Sequence, residues 1–229
     1  MSAKPQYNIS GVPQLILKTT LHNEPCFFIE KDYQEYLELV HQCVKNFHCH
    51  IHAYAFMPDH IYLLATSYSD NGIANMMQAV SNAYLNYVSK TYAINDTLWK
   101  AGYKACLIES ESYLLECMQY IETAPVRLGL TARSAEYIWS SYRNNSHSND
   151  NGIITHHALY MALGISEHER QSAYQQHKIL DEQTVQLISE TLSEEGLLGS
   201  DAFKDSIRQQ MPLVVTQNDN QCTDCVMFY

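Results

Sequence analysis

Two short apolar runs joined by a turn, His50–Phe56 and His60–Thr66 on either side of Pro58-Asp59, constrain the fold more than any other feature of this chain. Proline and aspartate at the join supply turn chemistry, so residues 50–66 are read as a β-hairpin. Alternate side chains of a strand point to opposite faces, which puts positions 60 and 62 on the same face. With a second histidine at 62, His60 would complete a two-imidazole metal clamp. The chain has Tyr62 there instead.

The flanking segments extend this hairpin into a pattern. Gln14–Thr20 reads as a first strand. Lys31–Phe47 reads as a helix, because Tyr33, Tyr36, Leu37, Val40, Val44 and Phe47 recur at helical spacing. Asp32 is its expected N-cap, with Glu35 completing a capping box. A break at Ser69-Asp70-Asn71-Gly72 precedes a long helix over 73–91. Tyr103–Ser110 is a fourth strand, and Glu111–Thr123 is a helix expected to stop before Pro125. The order β-α-β-β-α-β-α predicts an α+β fold: a ferredoxin-like antiparallel sheet with helices packed on one face, plus a C-terminal helical extension. The polar run 144–151 marks a boundary, giving a domain over 1–145, a helical extension over 146–210 and a flexible tail over 211–229.

Net charge is -11, which argues against nonspecific coating of nucleic acid. The acidity is uneven: residues 1–145 carry a net of -3, and 146–229 carry -8. An acidic last third suits a basic partner or a cover over a nucleic-acid face. Lys90, Lys100, Lys104, Arg127, Arg133 and Arg143 leave room for a weak local basic face in the first part. No apolar run approaches the roughly 20 residues that span a bilayer, and no signal-peptide pattern is seen. The seven cysteines are scattered, as expected of reduced thiols in a cytoplasm.

Several features invite a functional reading and have a simpler one. His48, His50 and His52 alternate as if sharing a strand face, yet zinc sites draw ligands from more than one element, so a solvent-facing or partly packed trio is expected. His156-His157 is read as surface. Cys222 and Cys225 have zinc-ribbon spacing without a second pair, which favours a tail. Tyr84, Tyr87 and Tyr92 offer faces for unpaired bases, but their helical spacing favours a core stripe.

The run His52-Ala-Tyr-Ala-Phe-Met-Pro-Asp-His-Ile-Tyr-Leu-Leu resembles the metal-strand motif of single-tyrosine transposases, in the REP-associated branch of the His-hydrophobic-His nuclease superfamily. Thr97-Leu-Trp-Lys-Ala-Gly-Tyr-Lys, the helix block from Tyr113 to Arg127, and Trp139-Ser-Ser-Tyr-Arg are similar to three further family blocks, in the family's order. The resemblance implies a tyrosine that attacks a DNA phosphodiester and forms a 5′-phosphotyrosine, and a magnesium or manganese ion that polarises the phosphate. It also implies single-stranded or hairpin DNA as partner, a homodimer or single unit, and cytoplasmic, nucleoid-associated placement.

Matched position by position, the nucleophile is Tyr120 and the first metal ligand is His60. The second ligand histidine maps to Tyr62, and the amide ligand maps to Ala124. A phenol with a pKa near ~10 is a poor ligand at neutral pH, and alanine offers no donor. Asp59 and Glu122 are the oxygens that would have to substitute, although Glu122 is expected on another helix face than Tyr120. Gly102 stands where the family usually has arginine, and Lys100, Lys104 and Arg127 are the candidate phosphate contacts. Two functions therefore stand side by side: a transposase that cleaves and joins DNA with a degraded metal site, or a silent relative that binds DNA or a protein.

Overall fold

The computed structural model describes residues 9–94, 97–147, 151–177 and 180–210. Its centre is β1 (Gln14–Thr19), where Leu15 and Ile16, adjacent and therefore facing opposite ways, are both completely buried. A strand buried on both faces needs cover on both sides. β1 pairs antiparallel with β3 (His60–Ser67) on one edge and with β4 (Lys104–Ile108) on the other. β2 (Cys49–Met57) completes the hairpin outside β3, and β5 (Leu197–Leu198) adds to β4 in parallel, giving the order β2-β3-β1-β4-β5.

The first four strands form the split β-α-β arrangement predicted from the sequence, an α+β fold of ferredoxin-like type. Helices α1 (Glu30–Asn46) and α2 (Gly72–Tyr92) cover one face, sharing a core with Ile16, Phe56, Ile61 and Leu63. The opposite face, expected to lack helices, is covered as well. There α3 (Ser110–Arg127) packs with α6 (Glu167–Gln175) and α7 (Glu182–Ser193) over Leu15, Ala53, Ala55, Leu64 and Ile108. Short helices α4 (Tyr142–Ser146) and α5 (Ala158–Met161) lead into that layer, and α8 (Asp201–Gln210) follows β5. The segment 151–198 thus shares a hydrophobic core with the sheet and contributes a strand to it. Cys222 and Cys225, with the rest of 211–229, lie outside the described residues.

Three local expectations need correction. Asp32 is the third residue of α1 and not its N-cap; its carboxylate reaches back to accept from the N–H groups of Phe28 (2.7 Å) and Ile29 (3.0 Å). Pro125 lies inside α3, which runs on to Arg127. A proline one turn from a helix end forfeits a single backbone bond, and the chain closes beyond it through Leu128 N–H to Ala124 and Leu130 N–H to Pro125 carbonyls, with Gly129 at φ 73°.

A bulge between Ile51 and Ala53 breaks the alternation that would align the three early histidines. His48 stays exposed at φ 51°, whereas His52 is buried, its Nδ1 2.7 Å from the Thr155 carbonyl and its Nε2 2.9 Å from Thr66 Oγ1. Burial pushes the His52 pKa down to about 4. His157 lies beside His52, with ring centroids 5.3 Å apart, and His156 stacks on Tyr160 at 4.3 Å, so this pair is packed and only half exposed.

The tyrosine stripe of α2 is core, as its spacing favoured. Tyr84 is fully buried and donates to the Cys26 carbonyl, and Tyr87 and Tyr92 donate to Asp32. Asp32 therefore joins the start of α1 to the far end of α2 while completely buried. Burial by itself raises its pKa, but the bonds from Tyr92, Ile29, Phe28 and Tyr87 together outweigh this and hold it below the ordinary value. Its stabilising contribution is present above the unfolded-state pKa and is lost as pH falls through the lower folded value. Asp32→Ala is expected to cost about 2–3 kcal/mol in urea unfolding at pH 7, and the difference from wild type should shrink in acid below about pH 4.

Candidate functional site

The candidate site forms where the hairpin meets α3. His60 opens β3 immediately after the Pro58-Asp59 turn, and its Nδ1 is 2.6 Å from Asp59 Oδ1. The turn is itself tied down, because Thr20 N–H and Oγ1–H both donate to the Asp59 carbonyl and Cys26 N–H donates to that of Pro58. Two residues along β3, Tyr62 projects to the same face. Its ring lies edge-on to His60, with centroids 5.2 Å apart, and edge-on to Tyr120 of α3 at 5.7 Å. The fold thus brings His60, Tyr62 and Tyr120 into one continuous row.

Because α3 continues past Pro125, Arg127 falls seven residues after Tyr120 and on the same helical face. Its Cζ sits 4.3 Å from the centre of the Tyr120 ring, and its Nη1 donates to Thr123 Oγ1 at 2.6 Å. A guanidinium over a phenol face is attracted by the ring quadrupole. Tyr120 is 4 % exposed, so this hydroxyl meets Tyr62 and Arg127 in a largely dry setting. Burial, and then the neighbouring Tyr120 hydroxyl, hold the Tyr62 phenol well above its ordinary pKa.

This donor set does not fit a divalent metal ion. His60 is the one imidazole, and its Nδ1 is engaged by Asp59. Tyr62 is a neutral phenol bonded to Tyr120, and Ala124, buried one turn after Tyr120, has no donor atom. Among the described residues no three His, Cys, Asp or Glu side chains come together in a way that would hold a metal.

Glu122, proposed from the sequence as a substitute ligand, is placed elsewhere. It is fully buried and accepts from Ser141 Oγ (2.5 Å), Asn145 Nδ2 (2.6 Å) and Tyr174 Oη (2.7 Å). Both carboxylate oxygens are occupied by structural partners, so it is not available to a cation beside His60. Of the candidate phosphate contacts, Arg127 belongs to the site. Lys100 is exposed near Asn23 (3.4 Å), and Lys104 bonds the Ser193 carbonyl (3.0 Å) at the end of α7.

Two functional-looking groups escaped the sequence reading. Lys18 is a buried cation on β1 that donates to the Lys100 and Gly102 carbonyls (3.0 and 2.5 Å) and lies 5.7 Å from the Trp99 ring centre. Burial pulls its pKa down to about 8. A lysine inside an apolar strand was the available signal. The partners of Glu122 come from α4, the residue that caps it, and α6, and no spacing rule connects them.

Comparison with known proteins points the same way as these features. Residues 16–124, a little under half of the chain, match the family model described as IS200-like transposase. More particularly, the fold is similar to that of a REP-associated tyrosine transposase solved bound to a REP hairpin, with 14 % identity over 63 % of this chain and 85 % of that one and a TM-score of 0.55. A Deinococcus radiodurans protein assigned as a transposase aligns at 16 % identity over 54 % of this chain and 97 % of that one, with a TM-score of 0.37. No curated protein matches.

Burial pushes the Glu122 pKa up to about 7 against the opposing pull of its three donors, Ser141, Tyr174 and Asn145. A carboxyl raised above its unfolded value stabilises fully below the unfolded pKa, and the contribution is lost as pH rises through the folded one. Glu122→Gln should therefore lose less stability than wild type between pH 5 and pH 8, by about 2–3 kcal/mol in matched urea titrations.

Proposed function

We propose that this protein binds single-stranded or hairpin DNA with a transposase fold whose metal position has been closed by an aromatic side chain, so that it holds DNA without metal-dependent strand cleavage. The observation that carries the reading is the Tyr62 ring between His60 and Tyr120, where a second imidazole would otherwise stand. A neutral phenol in that place neither binds a hard cation nor draws a proton from the Tyr120 hydroxyl. The phosphate interaction that remains is the guanidinium of Arg127, held over Tyr120, with exposed Lys100 as a further cationic contact. The net charge of -11 keeps nonspecific affinity low, so recognition rests on hairpin shape and unpaired bases.

The acidic C-terminal part, expected from its charge to meet a basic partner or to cover a nucleic-acid face, also has a structural role, since α6 and α7 complete the core beside α3. Solubility in a bacterial cytoplasm and work as a single unit or homodimer accompany this reading; no helix among the described residues is long and apolar enough to cross a membrane.

Fluorescence anisotropy with a labelled DNA hairpin is expected to show salt-dependent binding that Arg127→Ala weakens roughly tenfold and Tyr120→Phe leaves unchanged. Incubation of the hairpin with wild-type protein and manganese or magnesium should give no protein–DNA adduct on a denaturing gel. An adduct that forms with metal and disappears in Tyr120→Phe would overturn the non-cleaving reading.

Restoring donors provides a second check. Tyr62→His combined with Ala124→Asn should create manganese affinity in calorimetry that the wild type lacks. Tight manganese binding by the unmodified protein would show that its own residues complete a site.

A further inference from the structure

An open cavity of about 590 Å³ lies at the end of the hairpin away from Tyr120. Its walls are the last turns of α1, the junction into β2, Tyr68 just beyond β3, and the segment 152–155. The hairpin pairs from Cys49 and Ser67 at this end to Met57 and His60 at the turn, so the cavity stands roughly 25 Å along the strands from His60. Val44, Cys49 and Ile153, which line it, belong to the core under α1 and α2, on the opposite face of the sheet from α3.

The lining runs against the chain's net charge of -11. His41 and Lys45, one turn apart on α1, meet His48 and His50 there, and among the described residues no carboxylate lines the cavity. Glu38, outside the lining, has Oε2 3.9 Å from His41 Nδ1. Lys45 and His48 are exposed to solvent. Carbonyl oxygens that would repel an anion are already engaged: those of Cys43, Phe47 and His48 accept from Phe47 N–H, Ser69 Oγ–H and Tyr68 N–H. His48 sits at φ 51°, a left-handed conformation that favours glycine, so an imidazole is presented at this rim at a backbone cost. Beside it Tyr68 is 56 % exposed, its ring edge-on to His50 with centroids 4.9 Å apart. Among the described residues no three of these groups come together as metal ligands.

Building on the DNA-binding reading above, we infer that this cavity is a second nucleic-acid contact, which takes a backbone phosphate on Lys45 and His48 and an unpaired base on Tyr68. An ammonium attracts phosphate, and an imidazole carries an N–H donor in either protonation state. A phenol ring stacks on any base, so the contact tolerates sequence. Its distance from His60 and its place on the other face of the sheet separate it from the stretch of DNA held by Arg127. The occupant is therefore single-stranded DNA that continues from the hairpin.

Anisotropy of the full-length protein, at one fixed ionic strength, compares a labelled DNA hairpin with the same hairpin carrying a long single-stranded extension. Wild type is expected to bind the extended DNA roughly tenfold more tightly. Lys45→Gln combined with Tyr68→Ala should erase that advantage and leave affinity for the bare hairpin unchanged, whereas Arg127→Ala should weaken both DNAs alike. His48→Gly should reduce the advantage without lowering the urea midpoint, because glycine accepts this backbone conformation. An extension that adds nothing to hairpin affinity would overturn this inference alone, as would an advantage that survives the Lys45 and Tyr68 substitutions. Absence of binding to either DNA would remove the underlying reading together with it. Deoxyadenosine monophosphate distinguishes the source: weak competition with the extension supports a base and phosphate delivered on a strand. Tight binding of the free nucleotide, lost in His48→Gly and paired with no gain from the extension, overturns the strand.

Discussion

A fully buried carboxylate holds together the half of this molecule that carries the candidate site. Glu122 projects from α3 and is met by Ser141 and Asn145 from the segment after it and by Tyr174 from α6. Ser141 Oγ also accepts from Tyr54 N–H, and Asn145 donates to the His52 carbonyl, so the same group ties α3 to the outer strand of the hairpin. A polar group withdrawn from water is tolerated only where its partners are in place, and three donors from two segments supply them. The orientation of α3 is thereby set, and with it the direction in which Tyr120 and Arg127 point.

The candidate site inherits that geometry and differs in its chemistry. An aromatic row of His60, Tyr62 and Tyr120 is a well-packed contact and a poor cation site. Substituting a phenol for an imidazole replaces a lone pair available at neutral pH by a group that gives up its proton only in strong alkali, more so when buried. The arginine over Tyr120 remains, and it needs no metal to attract a phosphate. The proposed DNA binding thus rests on groups other than those a metal-dependent cleavage would need.

Legibility in the sequence followed the range of the interaction. The hairpin, both helices of the first face and the order of the first seven elements depend on local periodicity and turn residues, and the structure reproduces them within a residue or two. Pro125 misled because local chemistry stops a helix in its interior, yet near an end the loss is one bond. The bulge at Ile51–Ala53 was invisible, since nothing in the composition announces one extra residue in a ladder, and it decided that His52 is buried apart from its neighbours. β5, two residues long, has no pattern to read and exists only through its pairing with β4.

By itself, the sequence determined that positions 60 and 62 share a strand face and that Tyr62 cannot do an imidazole's work, because side-chain alternation and phenol acidity are local properties. Tertiary structure alone decided what surrounds them. It placed Arg127 on the Tyr120 ring by carrying α3 beyond its proline, and withdrew Glu122 into a buried knot of partners distant in sequence. Those outcomes depend on how separate elements pack, and packing is settled by the complementarity of surfaces that exist only once the chain has folded.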